Sequence, residues 1–305
     1  MDRTPQTIAV EGLTRRFGDF TAVDHVDFVV EQGLMTGFVG GNGAGKTTTM
    51  RMIMGVLSVS EGRVLWGGRP ITAADQRAIG YMPEERGLYP KQKVADQLVY
   101  LGQLKGMRRT RARESAMTLL ERLGLAERAD DTVESLSLGN QQRVQIAAAL
   151  MIEPTALILD EPFSGLDPEA VDSMADLLRE QTARGVPVLF SSHQLDLVDR
   201  LCDRLVVLAK GRVRASGTPE ELRGGAPRRH RVVAVRDAGW VREIPGLAVV
   251  DVDGPTAVID LPAEAAADRQ QLLGELLAEG LRRGGVTELT PLVPPLSEIY
   301  REVTA

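Results

Sequence analysis

The sequence predicts an α/β fold in which a parallel sheet with crossover helices is interrupted by a helical insertion and followed by a small α+β domain. Short apolar runs at Gly37–Val39, Ala156–Leu159, Val188–Phe190 and Leu205–Leu208 are separated by helical stretches, the pattern of parallel strands buried on both faces. A glycine-rich segment follows the first of these runs and leads into a helix. Between Val94 and Leu150 the pattern turns helical, with Leu98, Leu101 and Leu104 at helical spacing.

In chain order, Ile8–Val10 and Val26–Val30 read as short strands, and Thr47–Met54 as the helix after the glycine-rich loop. The glycines around Gly62–Gly68 mark a strand and a turn. Arg111–Leu123 is a helix, charged outside and apolar at Ala116, Leu119, Leu120 and Leu123. A boundary falls near Arg223–His230, where two glycines, a proline and charge cluster. The expected organisation is a domain over 6–223 with an insertion at about 92–152, a linker at 224–230, and an accessory domain over 231–305. That last part reads as strand Arg231–Val235, a short helix around Trp240, strands Ala248–Val252 and Thr256–Leu261, helix Ala263–Leu281 and strand Val286–Leu289. This β-α-β-β-α-β order suits a ferredoxin-like module.

Composition narrows the function classes. Over 305 residues the net charge is −6, shared equally between the tail from Ala226 onward and the rest, so neither part is strongly basic, which weakens a duplex-DNA or anionic-lipid reading while leaving room for a local basic groove. Cys202 is the only cysteine, which excludes an intrachain disulfide and a cysteine-rich zinc site; it reads as a core residue. The amino terminus lacks the layout of a signal peptide, and no apolar run nears the ~18 residues of a membrane helix. Work at a membrane therefore requires a separate spanning chain.

Gly40-Gly-Asn-Gly-Ala-Gly45-Lys46-Thr47 matches the phosphate-loop pattern G-x-x-x-x-G-K-[ST] in its strand–loop–helix setting. Glycines let backbone N–H groups turn toward phosphate oxygens, and the helix start adds its positive end. Gly40, Asn42, Gly43, Ala44, Gly45, Lys46, Thr47 and Thr48 are the expected ATP contacts. Lys46 supplies charge for the β- and γ-phosphates and Thr47 a hydroxyl for Mg²⁺. Ala156-Leu-Ile-Leu-Asp160-Glu161-Pro162 resembles a Walker B strand, delivering two carboxylates at its carboxyl end. Asp160 is expected to hold Mg²⁺ and Glu161 to orient or deprotonate the attacking water.

Leu136-Ser-Leu-Gly-Asn140-Gln-Gln-Arg-Val just before that strand resembles the signature motif of ATP-binding cassette proteins. With Asp167 in Ser164-Gly-Leu-Asp and His193 after Val188–Phe190, five motifs occur in the family's order over roughly Ile8–Leu222. The resemblance implies a P-loop NTPase core with an antiparallel β subdomain and a helical insertion. It also implies that Phe17 stacks on adenine, that His193 contacts the γ-phosphate, and that Ser137, Gly139 and Asn140 meet the ATP of a second cassette. Asp167 then lies at the dimer seam. The partner cassette is expected to be a second copy, with a related chain as the alternative.

The sequence departs from the family at three points. Leu138 replaces the third signature glycine and Asn140 the glutamine after the motif, while Glu84 stands at the glutamine position of the loop Ile79–Tyr89. Glu84 is an expected Mg²⁺ ligand that also places negative charge beside phosphate. Glu84–Tyr89 followed by Pro90, together with the ending Pro295-Leu-Ser-Glu-Ile-Tyr-Arg, looks like single-cassette subunits of bacterial drug and sodium-ion exporters. Such a subunit hydrolyses ATP on the cytoplasmic face of the cell membrane and drives a separate permease. A soluble cassette ATPase acting on ribosomes or DNA is the alternative, but neither a second cassette nor a long coiled-coil insertion is present. A third reading, a small-molecule kinase, leaves the signature stretch unexplained.

Overall fold

The computed structural model describes residues 6–85, 87–223, 228–261, 266–292 and 295–304. Two compact units divide the chain: one runs to Pro219 and also takes in the residues from Glu302, and the other covers Glu220–Arg301, so that the last helix is shared between them in sequence. The first unit opens with an antiparallel hairpin, β1 (Ile8–Phe17) and β2 (Phe20–Val30), in which Phe17 pairs with Phe20 across the turn. Both strands exceed the expected Ile8–Val10 and Val26–Val30. Register shifts between Val10 and Arg16, with Gly12 at φ 55°, break the alternation by which a strand is read from sequence.

The chain then enters β3 (Met35–Val39), buried at every residue, and leaves through the glycine loop into α1 (Lys46–Ile53). β4 (Glu61–Trp66) and the two-residue β5 (Arg69–Pro70) complete the antiparallel sheet, ordered β2-β1-β4-β5. α2 (Ala73–Ala78) starts on a reciprocal cap between Thr72 and Asp75, and β6 (Gly80–Met82) returns to the parallel sheet.

The insertion contains α3 (Val94–Leu104), α4 (Arg109–Arg122) and α5 (Leu138–Leu150). Leu98, Ala116, Leu119, Leu120 and Ile146 are buried as periodicity requires, whereas Leu104 is exposed. β7 (Leu157–Leu159), α6 (Pro168–Ala183), β8 (Val188–Ser192), α7 (Leu195–Leu201), β9 (Arg204–Ala209), β10 (Arg212–Gly217) and α8 (Pro219–Arg223) follow. The second sheet has the order β10-β9-β3-β8-β7-β6, with only the β9–β10 pair antiparallel. Val39 lies opposite Ser192, and Leu159 opposite Phe190, so β3, β7 and β8 end side by side.

The two sheets share a core that includes Leu13, Val26, Phe28, Phe38, Met50 and Leu189, with Phe28 and Phe38 rings tilted at 5.1 Å. Each such fully buried side chain contributes roughly 1.5–3 kcal/mol. α7 is seated on β3 over Gly37, where Cys202, Val198 and Leu205 converge. Burial, reinforced by Asp203 and Asp199, pushes the Cys202 thiol well up, and it remains a neutral core group.

The second unit is built from β11 (Arg228–Ala234), a 3₁₀ turn (Gly239–Glu243), β12 (Ala248–Asp253), β13 (Thr256–Leu261), α9 (Ala266–Arg282), β14 (Val286–Leu292) and α10 (Leu296–Thr304). Its sheet is wholly antiparallel in the order β12-β13-β11-β14 and packs Val232, Trp240, Ile259 and Leu276 together. Two expectations are corrected. The first helix of the expected order is a five-residue 3₁₀ turn, since Gly239 precedes Trp240 and Pro245 closes the segment soon after. The first strand starts at Arg228 instead of Arg231, because Arg229 pairs with Asp260 and His230 stands opposite Ile259, extending the ladder into the expected linker. The rest of that linker, 224–227, and the expected start of the long helix at Ala263 lie outside the described residues. No helix among the described residues is long and apolar enough to cross a membrane.

Gly37→Ala tests the seat of α7, because the added Cβ would lie 2.7 Å from both Cys202 Sγ and Val198 Cγ1. Overpacking there should cost about 1–3 kcal/mol in urea unfolding. An unchanged unfolding midpoint would mean that the contact between α7 and β3 is looser than described.

Candidate active site

Between β3 and α1 the chain turns through a loop whose glycines are sterically required. A Cβ on Gly40 would lie 2.6 Å from the Leu208 carbonyl oxygen. Gly45, at φ 106°, would bring one to 2.9 Å from the Ala22 carbonyl oxygen. Inside the loop, Lys46 is only 9% exposed and its Nζ donates to the carbonyl oxygens of Gly40 at 2.7 Å and Gly41 at 3.3 Å. No carboxylate pairs with it among the described residues. An ammonium has three donors and is costly to bury uncompensated, so this one is set up for an incoming anion.

Facing the loop are the ends of β7 and β8. Asp160 is 1% exposed, and its Oδ1 accepts a 2.5 Å bond from Ser191 Oγ. Its Oδ2 is buried without a partner among the described residues. The same Ser191 hydroxyl accepts the Glu161 N–H at 2.8 Å, so one side chain from β8 fixes both acidic residues. Glu161 adopts φ 50°, a left-handed conformation costing a non-glycine residue on the order of 1 kcal/mol. Its carboxylate Oε2 lies 2.9 Å from His193 Nδ1. Burial, and after it the Asp160 charge, pushes the nearby Tyr81 phenol up, so that group stays protonated.

α5 is bound to this floor by two glutamines. Gln142 Nε2 donates to the carbonyls of Glu161 at 2.8 Å and Pro162 at 3.1 Å, and Gln145 reaches the Pro83 carbonyl at 3.4 Å. Gln145 thereby touches the loop that carries Glu84, and Glu84 Oε2 in turn accepts from Thr47 Oγ1 at 3.3 Å. These elements enclose a cleft of about 660 Å³, a size that suits a nucleotide.

Most predicted site residues meet in this cleft. Asn42 through Thr48 form one wall, Asp160, Glu161 and His193 the opposite one, and Glu84 and Phe17 also line it. Gly40 lies behind the wall and holds Lys46 through its carbonyl. Phe17 stands at the end of the hairpin with the Arg15 guanidinium 4.5 Å from its ring centroid, leaving an aromatic surface at the cleft edge. Ser137, Gly139, Asn140 and Asp167 do not line the cleft. Within this chain, Ser137 caps α5 by accepting the Asn140 N–H at 3.3 Å. A Cβ on Gly139 would approach the Gly165 carbonyl oxygen to 3.2 Å. Asp167 caps α6 through the Ala170 N–H at 2.8 Å and lies 3.8 Å from Arg143.

Sequence reasoning missed Phe20, Gln142, Ser164 and Ser191, the first three lining the cleft and the last bridging its carboxylates. Gln142 and Gln145 had a usable signal, because they are polar residues three apart on the buried face of α5. Phe20 had none until its strand was placed opposite Phe17.

The donor set fits a hard cation. Asp160 Oδ2 lacks a partner, and Thr47 and Glu84 add oxygens, with no sulfur nearby. No group of three or more His, Cys, Asp or Glu that could hold a metal occurs among the described residues.

Comparison with known proteins agrees with this geometry. Residues 23–164 match the family model described as ABC transporter. The chain is 46% identical over 216 residues to the ABC transporter ATP-binding protein YhaQ of Bacillus subtilis (strain 168), covering 71% of this chain and 72% of that one. It is 33% identical over 279 residues to the linearmycin resistance ATP-binding protein LnrL of the same organism, covering 89% of each. A solved structure described as the ATP binding subunit of an ABC transporter superposes with a TM-score of 0.65 at 32% identity, covering 71% of this chain and 91% of its own. With a phosphate loop, a paired-carboxylate strand end and a histidine converging on one cleft, and relatives aligned over most of their length, the chain belongs to the ABC transporter family as an ATP-binding ATPase subunit.

Proposed function

We propose that the chain binds ATP with Mg²⁺ in the cleft and pairs with a second cassette to drive a separate membrane permease in export. The observation that carries the chemistry is the opposition of the buried Lys46 ammonium to the Asp160–Glu161 carboxylates across one cavity. Lys46 exchanges its carbonyl partners for β- and γ-phosphate oxygens, while Asn42–Thr48 offer backbone N–H groups around them. Asp160 and Thr47 hold Mg²⁺, which supplies charge neutralisation at the phosphates. Phe17, with Phe20 beside it, stacks on the base.

Glu161 is the general base. Its carboxylate is fixed by the His193 contact and by the backbone that Ser191 holds, so the water it orients lies opposite the phosphate loop. His193 steadies that carboxylate and the γ-phosphate. Ser137, Gly139 and Asn140 form the amino end of α5, the positive end of its dipole, and lie outside the lining of the chain's own cleft. They are assigned to the ATP of the partner cassette, and Asp167 to the seam between the two. A second copy is the simplest partner, and no nucleic acid is involved.

The export direction follows the likeness of the Glu84–Tyr89 loop and the chain's last segment to bacterial drug and sodium-ion exporter subunits. It also accords with the relative named for linearmycin resistance, which covers both units. The assembly operates on the cytoplasmic face of the bacterial membrane, with the helical insertion and the Glu84–Tyr89 loop against the permease.

Glu161→Gln should retain ATP binding and lower ATP hydrolysis at least about 100-fold, trapping a dimer with ATP that elutes early in size-exclusion chromatography. Unchanged turnover would remove Glu161 as the base. Lys46→Ala should weaken ATP binding roughly 10- to 100-fold, measured by calorimetry, since it deletes a charge-assisted phosphate contact. Wild-type affinity in that variant contradicts the loop assignment. Mixing Ser137→Arg protein with Lys46→Ala protein should restore part of the ATPase activity, because one composite site in the mixed dimer retains both motifs. A verified heterodimer as inactive as either parent would argue against shared sites.

A further inference from the structure

We propose that Glu84 makes nucleotide capture depend on a divalent cation, by turning the Thr47 hydroxyl toward the metal and repelling triphosphate that arrives without one. This rests on the reading of the cleft as an ATP site and concerns which form of ATP that site accepts.

A carboxylate accepts hydrogen bonds and cannot donate them, so the 3.3 Å contact commits the Thr47 hydroxyl hydrogen to Glu84 Oε2. The oxygen lone pairs of Thr47 are left to face a cation. A glutamine, the residue expected at this position from the family resemblance, could donate as well as accept, and the hydroxyl would then be free to turn either way. The floor of the cleft adds a second demand for positive charge, because Asp160 Oδ2 is buried and has no partner among the described residues.

The charges lining the cavity point the same way. Among the described residues that line the cavity, the Lys46 ammonium stands against Glu84, Asp160 and Glu161, with His193 beside them. Metal-free ATP would bring its own negative charge into a pocket that already has an excess of carboxylates. The magnesium complex arrives with two fewer negative charges and supplies a cation to Asp160 and Glu84, which have none among the described residues. Glu84 therefore acts with opposite signs on the two forms, weakening capture of free ATP and strengthening capture of its metal complex. One unit charge a few ångströms from the phosphates shifts each affinity on the order of tenfold.

The test is equilibrium binding of ATP to the full chain, wild type and Glu84→Gln, in EDTA and across a magnesium series. The variant keeps the side chain's shape at an exposed position, and its thermal melt reports folding. Glu84→Gln should bind ATP in EDTA about tenfold more tightly than wild type and magnesium-saturated ATP about tenfold more weakly, so that the gain in affinity on adding magnesium shrinks about 100-fold. Glu84→Ala should show the same two shifts if charge is the cause. Equal gains in affinity on adding magnesium in wild type and Glu84→Gln, with ATP still bound, overturn this assignment while the ATP site stands. Absence of ATP binding to the wild-type chain with or without magnesium overturns both.

Discussion

Lys46 holds its ammonium below the surface against two carbonyl oxygens and no carboxylate among the described residues, a state that proteins seldom tolerate without a compensating ligand. That placement exists because only the loop of residues 40–45 separates the buried strand β3 from α1, with Gly40 and Gly45 allowing the backbone to fold tightly against Leu208 and Ala22. The antiparallel sheet and the parallel sheet share one core around the loop, so it cannot relax without opening both. A triphosphate is the ligand whose charge and size answer this arrangement.

The opposite wall follows from sheet topology. β7 and β8 are adjacent and parallel, and their ends lie level with that of β3, which is where α/β sheets assemble binding sites. Ser191 uses this adjacency by bonding Asp160 through its hydrogen and Glu161 N–H through its oxygen. The left-handed backbone at Glu161 is strain held in place by these bonds and by Gln142 on the Glu161 carbonyl. Because Gln142 belongs to α5, the helix whose first turn carries Ser137 and Gly139 is rigidly referenced to the same carboxylates. A displacement of α5 by a neighbouring subunit would therefore reach Glu161 without a long relay.

Ser137 and Asp167 serve as helix caps in the single chain, so their local geometry is satisfied without any nucleotide. Leu138, at 59% exposure, occupies the first turn of α5 beside them. An exposed leucine where the family resemblance leads one to expect glycine adds apolar surface to the face assigned to the partner cassette.

The sequence alone determined the α/β class, the phosphate loop, the carboxylate strand end and most strand positions, because each is written in local spacing. Glycines must recur where the backbone bends, apolar runs where strands are buried, and a lysine where phosphate charge is met. Tertiary structure decided what depends on residues far apart in the chain. The bulges in β1 hid the length of the hairpin and hence Phe20; the bridging Ser191 and the clamping Gln142 acquire meaning only from their neighbours across the sheet and the insertion. The contact between Thr47 and Glu84 likewise joins residues 37 apart in the chain. Local patterns record the conformation of a segment, whereas the partner of a buried polar atom is chosen by packing between segments.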